Sequence, residues 1–114
     1  MAKRSDKLYL RDILDSIEKI EKYVRGLNFE KFSENLMIID AVVRNLEIIG
    51  EATKNLSKEI KILHPEIPWK EMKGMRNKVI HEYFGVNLKI IWKTIKERLP
   101  ELKIKIKEIL KSVV

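Results

Sequence analysis

Leu36-Met37-Ile38-Ile39-Asp40-Ala41-Val42-Val43-Arg44-Asn45-Leu46-Glu47-Ile48-Ile49-Gly50-Glu51-Ala52 is the stretch whose reading decides the fold. Leu36, Met37, Ile38, Ile39, Val42, Val43, Leu46, Ile49 and Ala52 recur at helical spacings. The spacing predicts one long helix from near Ser33 to about Leu56. Its apolar band is too wide for a single buried face. One side is expected to meet the core of the domain and the other a partner subunit. Gly50 inside this helix costs about 1 kcal/mol relative to alanine, and a close helix–helix approach would justify it.

Working outward, residues 8–27 set Leu10, Ile13, Leu14, Ile17, Ile20, Val24 and Leu27 three and four apart, one apolar stripe. Ser5 or Asp6 can cap the start of this first helix, and Gly26 and Asn28 punctuate its end. Ser57 to Leu63 adds a short helical segment. His64-Pro65-Glu66-Ile67-Pro68 then breaks the chain, with Pro68 suited to the first position of a third helix from about Trp69 to Tyr83. Gly85 and Asn87 form a turn, Asn87 caps a fourth helix over Leu88–Leu99, and Pro100 starts a fifth with Leu102, Ile106, Ile109, Leu110 and Val113 on its apolar side. No run of alternating residues with hairpin turns stands out. The expected fold is all-α, an antiparallel bundle of four or five helices forming one domain over residues 1–114.

Composition narrows the function. The chain has 114 residues, 45% hydrophobic and 36% charged, which suits a globular domain with a heavily charged surface. With no cysteine, disulfides, thiolate metal sites and a cysteine nucleophile are excluded. The first 30 residues carry charge throughout, so no signal peptide is expected, and no segment reaches the roughly 20 apolar residues that span a bilayer. A cytoplasmic protein that does not enter the membrane is expected. The net charge is +7. From Val86 to Val114 eight basic residues face three glutamates. This excess suits RNA or an acidic protein, or it is simply the solvated face of a lysine-rich helix. The chain is rich in Lys, Glu and Ile and has no Gln, a bias typical of proteins from hot environments.

One constellation carries chemistry: Met75-Arg76-Asn77-Lys78-Val79-Ile80-His81-Glu82-Tyr83-Phe84. On an ideal helix with Met72 at 0°, Met75 falls at about −60°, Val79 at about −20°, Tyr83 at about 20° and Arg76 at about 40°. Asn77 falls at about 140° and His81 at about 180°. His81 therefore points away from the core stripe, with Asn77 one turn below it and within reach. Such a histidine is either solvated or faces another surface. The residue types suit RNA cleavage. RNA supplies its own nucleophile, the 2′-OH; His titrates near neutrality and can move the proton; Arg offers a planar fork for charge developing on phosphorus; Asn can orient the His or donate to a phosphate oxygen. No metal and no other cofactor is needed, and His64 and His81, far apart in sequence, do not make a zinc site.

Arg76 to His81 resembles the signature of the HEPN superfamily, in which an Arg is followed by a polar residue and, after four to six intervening residues, a His. With Tyr83 the pattern becomes Arg-x4-His-x-Tyr, which is similar to the HepT toxin family. Arg44 to Ala52, Ile67-Pro68-Trp69, Gly74 to Asn77 and His81 to Phe84 fit that family in order and spacing, over nearly the whole chain. The resemblance implies a HEPN-like bundle that forms homodimers, or higher oligomers with its antitoxin. It also implies a metal-independent endoribonuclease whose cleft joins the Arg and His of both subunits, here Arg76 and His81, with Asn77 beside them in the motif. It further implies a cognate minimal nucleotidyltransferase antitoxin of the MntA type, which adds AMP to the motif tyrosine, here Tyr83, and silences the toxin.

Other readings stand beside these. Tyr83 falls on the stripe and could be a core aromatic, or it could hold its hydroxyl in solvent near a helix end. Arg44 and Glu51 are either a plain pair on a helix face or, if that helix lines a dimer, supports for the cleft. Trp69 and Trp92 read as packing residues rather than base-stacking platforms, and His64 as an exposed loop residue. The competing function is a non-catalytic HEPN module that binds a nucleotide or its nucleotidyltransferase partner; cleavage of RNA by the purified protein separates the two.

Overall fold

The computed structural model describes residues 5–75 and 87–112, and every described element is helical. Helix α1 spans Asp6–Val24, α2 Phe29–Glu34, α3 Leu36–Asn55, α4 Lys58–Leu63 and α5 Trp69–Lys73. After residue 86 come α6, Leu88–Lys93, a π-helical turn, Thr94–Arg98, and α7, Leu99–Ser112. The all-α architecture expected from the periodicity is what forms.

Side chains that satisfy the first free N–H groups start most of these helices. Ser5 accepts from Leu8 N–H at 3.4 Å, Asn28 from Lys31 at 2.9 Å, Asn35 from Ile38 at 3.0 Å, Ser57 from Ile60 at 3.3 Å and Asn87 from Ile90 at 3.3 Å. Gly26 takes φ 77°, a left-handed value that ends α1 and that a side chain would strain.

Asn35 explains one departure from the expected boundaries. The helix predicted from Ser33 begins instead at Leu36, because Asn35 adopts an extended φ of −105° and ψ of 94° and caps both ways: its N–H bonds Phe32 O and its side chain bonds Ile38 N–H. Phe29–Glu34 becomes a separate short helix. Its Phe32 is fully buried and lies 5.0 Å from the ring of Trp92, with Phe29 edge-on to the same ring at 6.4 Å. Trp92 is thus a packing residue, with the Lys96 amine 5.1 Å above its ring. Trp69 packs against the core too and donates its indole N–H to His64 O at 2.9 Å. His64, expected to be exposed, is half-buried, with Nδ1 3.5 Å from Glu66.

The boundary expected at Pro100 is corrected as well. The chain passes through Pro100 as helix, and the π turn directly precedes it. Proline donates no N–H and its ring collides with the carbonyl four residues back, here that of Lys96. The wider turn makes room: Leu99 N–H donates to Thr94 O, five residues back. Pro68 also differs from expectation, serving as the residue before α5 and not as its first helical position. Of the third helix predicted over 69–83, α5 covers Trp69–Lys73 with Gly74 as its cap; the remainder from residue 76 lies outside the described residues.

The core forms between α1 and α3. Leu10, Ile13, Ile17, Ile20 and Val24 of α1 are buried, as are Ile39, Val42, Leu46, Ile49, Ala52 and Thr53 of α3. The α7 residues Leu99, Leu102, Ile106 and Ile109 close it, and Met72 of α5 joins from the side. Gly50 is buried within α3. The Asp6 carboxylate accepts from Ser57 N–H at 2.9 Å and from the Ser57 hydroxyl at 2.5 Å, tying the start of α1 to the end of α3. The two helices therefore run antiparallel. Asp6→Ala is expected to lower stability by about 1–2 kcal/mol, the cost of leaving a half-buried donor unpaired. Urea denaturation checks this, and Asp6→Asn, which keeps one acceptor, should lose less.

Candidate functional site

Among the sequence-predicted residues, Arg76, Asn77, His81 and Tyr83 lie outside the described residues. Their flanks are described. Met75 is half-buried and packs against the core, and Asn87 opens α6.

Arg44 and Glu51 are both exposed on α3. Seven residues apart, they sit two turns from one another, about 10 Å along the axis, too far for a direct helix-face pair. They do share a cleft of about 400 Å³, whose described lining is completed by Tyr9 and Asp12 of α1 and by Glu47, Ile48, Ala52 and Asn55 of α3. The antiparallel pairing of α1 with α3 brings Tyr9 and Asp12 there. Sequence reasoning missed both; the available signal was their three-residue spacing on the flank of the α1 stripe. Among the described residues its lining holds one guanidinium and three carboxylates.

Inside the same helix, Asn45 is 95% buried by its 5% exposure. Its amide N–H donates to Ala41 O at 2.8 Å, while its side-chain oxygen has no partner among the described residues. A buried acceptor without a partner costs free energy and is uncommon. Thr53, fully buried, satisfies its hydroxyl on Ile49 O at 2.7 Å.

A second and larger cleft of about 630 Å³ lies between the α5 region and the last helices. Glu66, Pro68, Glu71, Met72, Gly74 and Met75 form one wall, and Thr94, Arg98, Glu101, Leu102 and Lys105 the other. It reaches Met75, the residue that precedes Arg76. The basic excess of the C-terminal quarter is only partly available there, because Lys103 is drawn to Glu21 of α1 at 2.7 Å. That hydrogen bond raises the Lys103 pKa above the ordinary lysine value, burial opposing it. Among the described residues no group of three or more His, Asp or Glu could hold a metal ion, and no helix is long and apolar enough to cross a membrane.

Comparison with known proteins bears on the whole chain. A family model described as ribonuclease HepT-like matches residues 13–109. A protein named probable ribonuclease HepT from Thermococcus cleftensis is 52% identical over 109 residues, 96% of this chain and 99% of its own length. Two proteins provisionally named as RNases are also similar. One, from Caldanaerobacter subterraneus, is 52% identical over 91% of this chain and 93% of its own. The other, from Methanocaldococcus jannaschii, is 43% identical over 99% of this chain and 93% of its own. No solved structure matches. The matched span contains Arg76, Asn77, His81 and Tyr83, the whole described lining of the larger cleft and the α3 wall of the smaller one, and with an all-α fold around it the chain belongs to the ribonuclease HepT-like family of the HEPN superfamily.

Proposed function

We propose that this chain is a metal-independent endoribonuclease that acts as the toxin of a toxin–antitoxin pair in the cytoplasm. The observation that carries the reading is Arg76-x4-His81-x-Tyr83 within the span matched by a ribonuclease family model. His81 takes the proton of a 2′-OH, whose oxygen attacks the adjacent phosphorus. The bond to the 5′-oxygen breaks, and that oxygen leaves with a proton returned from an imidazolium. The products are a 2′,3′-cyclic phosphate and a free 5′-OH. Arg76 holds the phosphate oxygens as charge builds, and Asn77 orients His81 or adds a donor. A cognate nucleotidyltransferase adds AMP to Tyr83 and silences the activity. End-labelled RNA incubated with the purified protein tests this. Cleavage that persists in EDTA and leaves cyclic phosphate ends supports it; intact RNA, or cleavage that EDTA abolishes, overturns it.

The site is completed by a second copy. In support, the apolar band of α3 is not exhausted by the core: Leu36 is 70% and Met37 83% exposed at its start. Large apolar side chains so placed favour a partner surface. Met37→Glu should leave the fold intact, since the side chain touches little, and should weaken dimerisation at least tenfold. Sedimentation at micromolar concentration reads the outcome. A wild-type monomer, or a dimer indifferent to the substitution, argues against α3 as the interface.

A further inference from the structure

We propose that the cleft between α5 and the Thr94–Lys105 face binds one nucleotide of the RNA strand, as a substrate subsite of the proposed ribonuclease. The inference rests on the reading of the chain as an enzyme acting on RNA. Arg98, Glu101 and Lys105 recur at spacings of three and four from the end of the π turn into α7, and with Thr94 of that turn they line the cleft. At about 630 Å³ it is within the size range of small-molecule sites.

The charges select the ligand. Counted by residue, the carboxylates of Glu66, Glu71 and Glu101 outnumber the cations of Arg98 and Lys105. Glu66 is already engaged, its carboxylate 3.5 Å from His64 Nδ1. Lys105 reaches the backbone carbonyl of Glu66 at 3.4 Å, a long contact that leaves its other donors available. Arg98 is exposed and makes no ion pair among the described residues. Among the described residues, two cations and two carboxylates therefore face the opening, above a floor that includes Met72 and Leu102, both buried, and the half-buried Met75. A polyanion alone would be repelled by the carboxylates, and a polyamine by the cations. A nucleotide satisfies both: its phosphate takes Arg98 and Lys105, its base lies on the thioether and leucine floor, and an exocyclic amino group donates to Glu71 or Glu101. Cytosine, adenine and guanine carry such a group and uracil does not. Met75, on one wall of this cleft, is followed in the chain by Arg76.

The experiment uses the full chain and two readouts. Binding of CMP and UMP is followed by NMR chemical-shift titration, and cleavage of a short RNA is resolved into kcat and KM. Wild-type protein should bind CMP more tightly than UMP. Arg98→Ala and Lys105→Ala should each weaken CMP binding and raise KM about tenfold, leaving kcat within about twofold. Glu71→Gln combined with Glu101→Gln should erase the preference for CMP. Melting temperatures confirm that the variants fold. If RNA is cleaved but neither cation changes KM or CMP binding, the subsite is wrong and the ribonuclease reading stands. If no RNA is cleaved but CMP binds in an Arg98-dependent way, the nucleotide site stands and the ribonuclease reading fails. Shifts confined to residues outside the cleft overturn the site in either case.

Discussion

His81→Ala is expected to slow RNA cleavage by about a hundredfold to ten-thousandfold, the usual contribution of a positioned acid–base group. Arg76→Ala should cost about a hundredfold to a thousandfold, by analogy with the loss of one donor aimed at developing negative charge. The two losses should not add, because proton transfer and charge stabilisation serve the same transition state. Neither variant should unfold. Because α5 ends at Gly74, the expectation rests on the sequence from Met75 onward: on an ideal helix Val79 falls about 40° from Met75, Arg76 about 100° and His81 about 120° to the other side, so truncation at either position is expected to remove little packing. Met72, by contrast, is buried in the core, and Met72→Ala serves as the destabilising control, at about 2–5 kcal/mol. Circular dichroism melts alongside initial rates distinguish lost chemistry from lost fold. Full activity in His81→Ala would end the proposed mechanism.

The second large effect concerns Tyr83. With the predicted nucleotidyltransferase, ATP and Mg²⁺, the chain should gain the mass of one or more AMP groups, and cleavage should fall to background. The phosphate of the added AMP would compete with RNA for Arg76, and the adenosine would obstruct entry. A charge-assisted Arg–phosphate bond is worth roughly 1.5–3 kcal/mol, enough to displace a weakly held substrate without a change of fold. Peptide mapping should place the label on Tyr83, and Tyr83→Phe should keep its ribonuclease activity in the presence of the partner. Unchanged mass, or label on Tyr9 or Tyr23, would remove this form of control and leave the cleavage mechanism untouched.

The two candidate clefts were not equally legible. Arg44 and Glu51 were readable as a polar pair on the long helix, yet not as the wall of a cavity, because the opposite wall comes from Tyr9 and Asp12 some 35 residues earlier. The larger cleft was not readable at all. Its walls are separated by residues 76–93, and no local pattern says which face of one helix will meet which loop.

Helix content, the α1 stripe, the buried side of α3 and caps such as Ser5 and Asn87 were determined by the sequence alone, since each is a matter of hydrogen bonds and spacing within a few residues. The motif and its family were likewise a matter of residue order. Tertiary structure decided what Pro100 does. The sequence reading stopped a helix there; packing of Ile91, Ile95 and Leu99 into one core instead holds the helix together through a π turn. On an unbroken α-helix, Lys89, Lys93, Lys96, Lys103, Lys107 and Lys111 would lie within about 40° of one line. One residue more in the turn rotates α7 by about 100°, and Lys103 meets Glu21 of α1 at 2.7 Å instead of extending a basic track. Backbone periodicity is written locally, but the energy that selects a π turn over a break comes from burying side chains against helices that are distant in the chain.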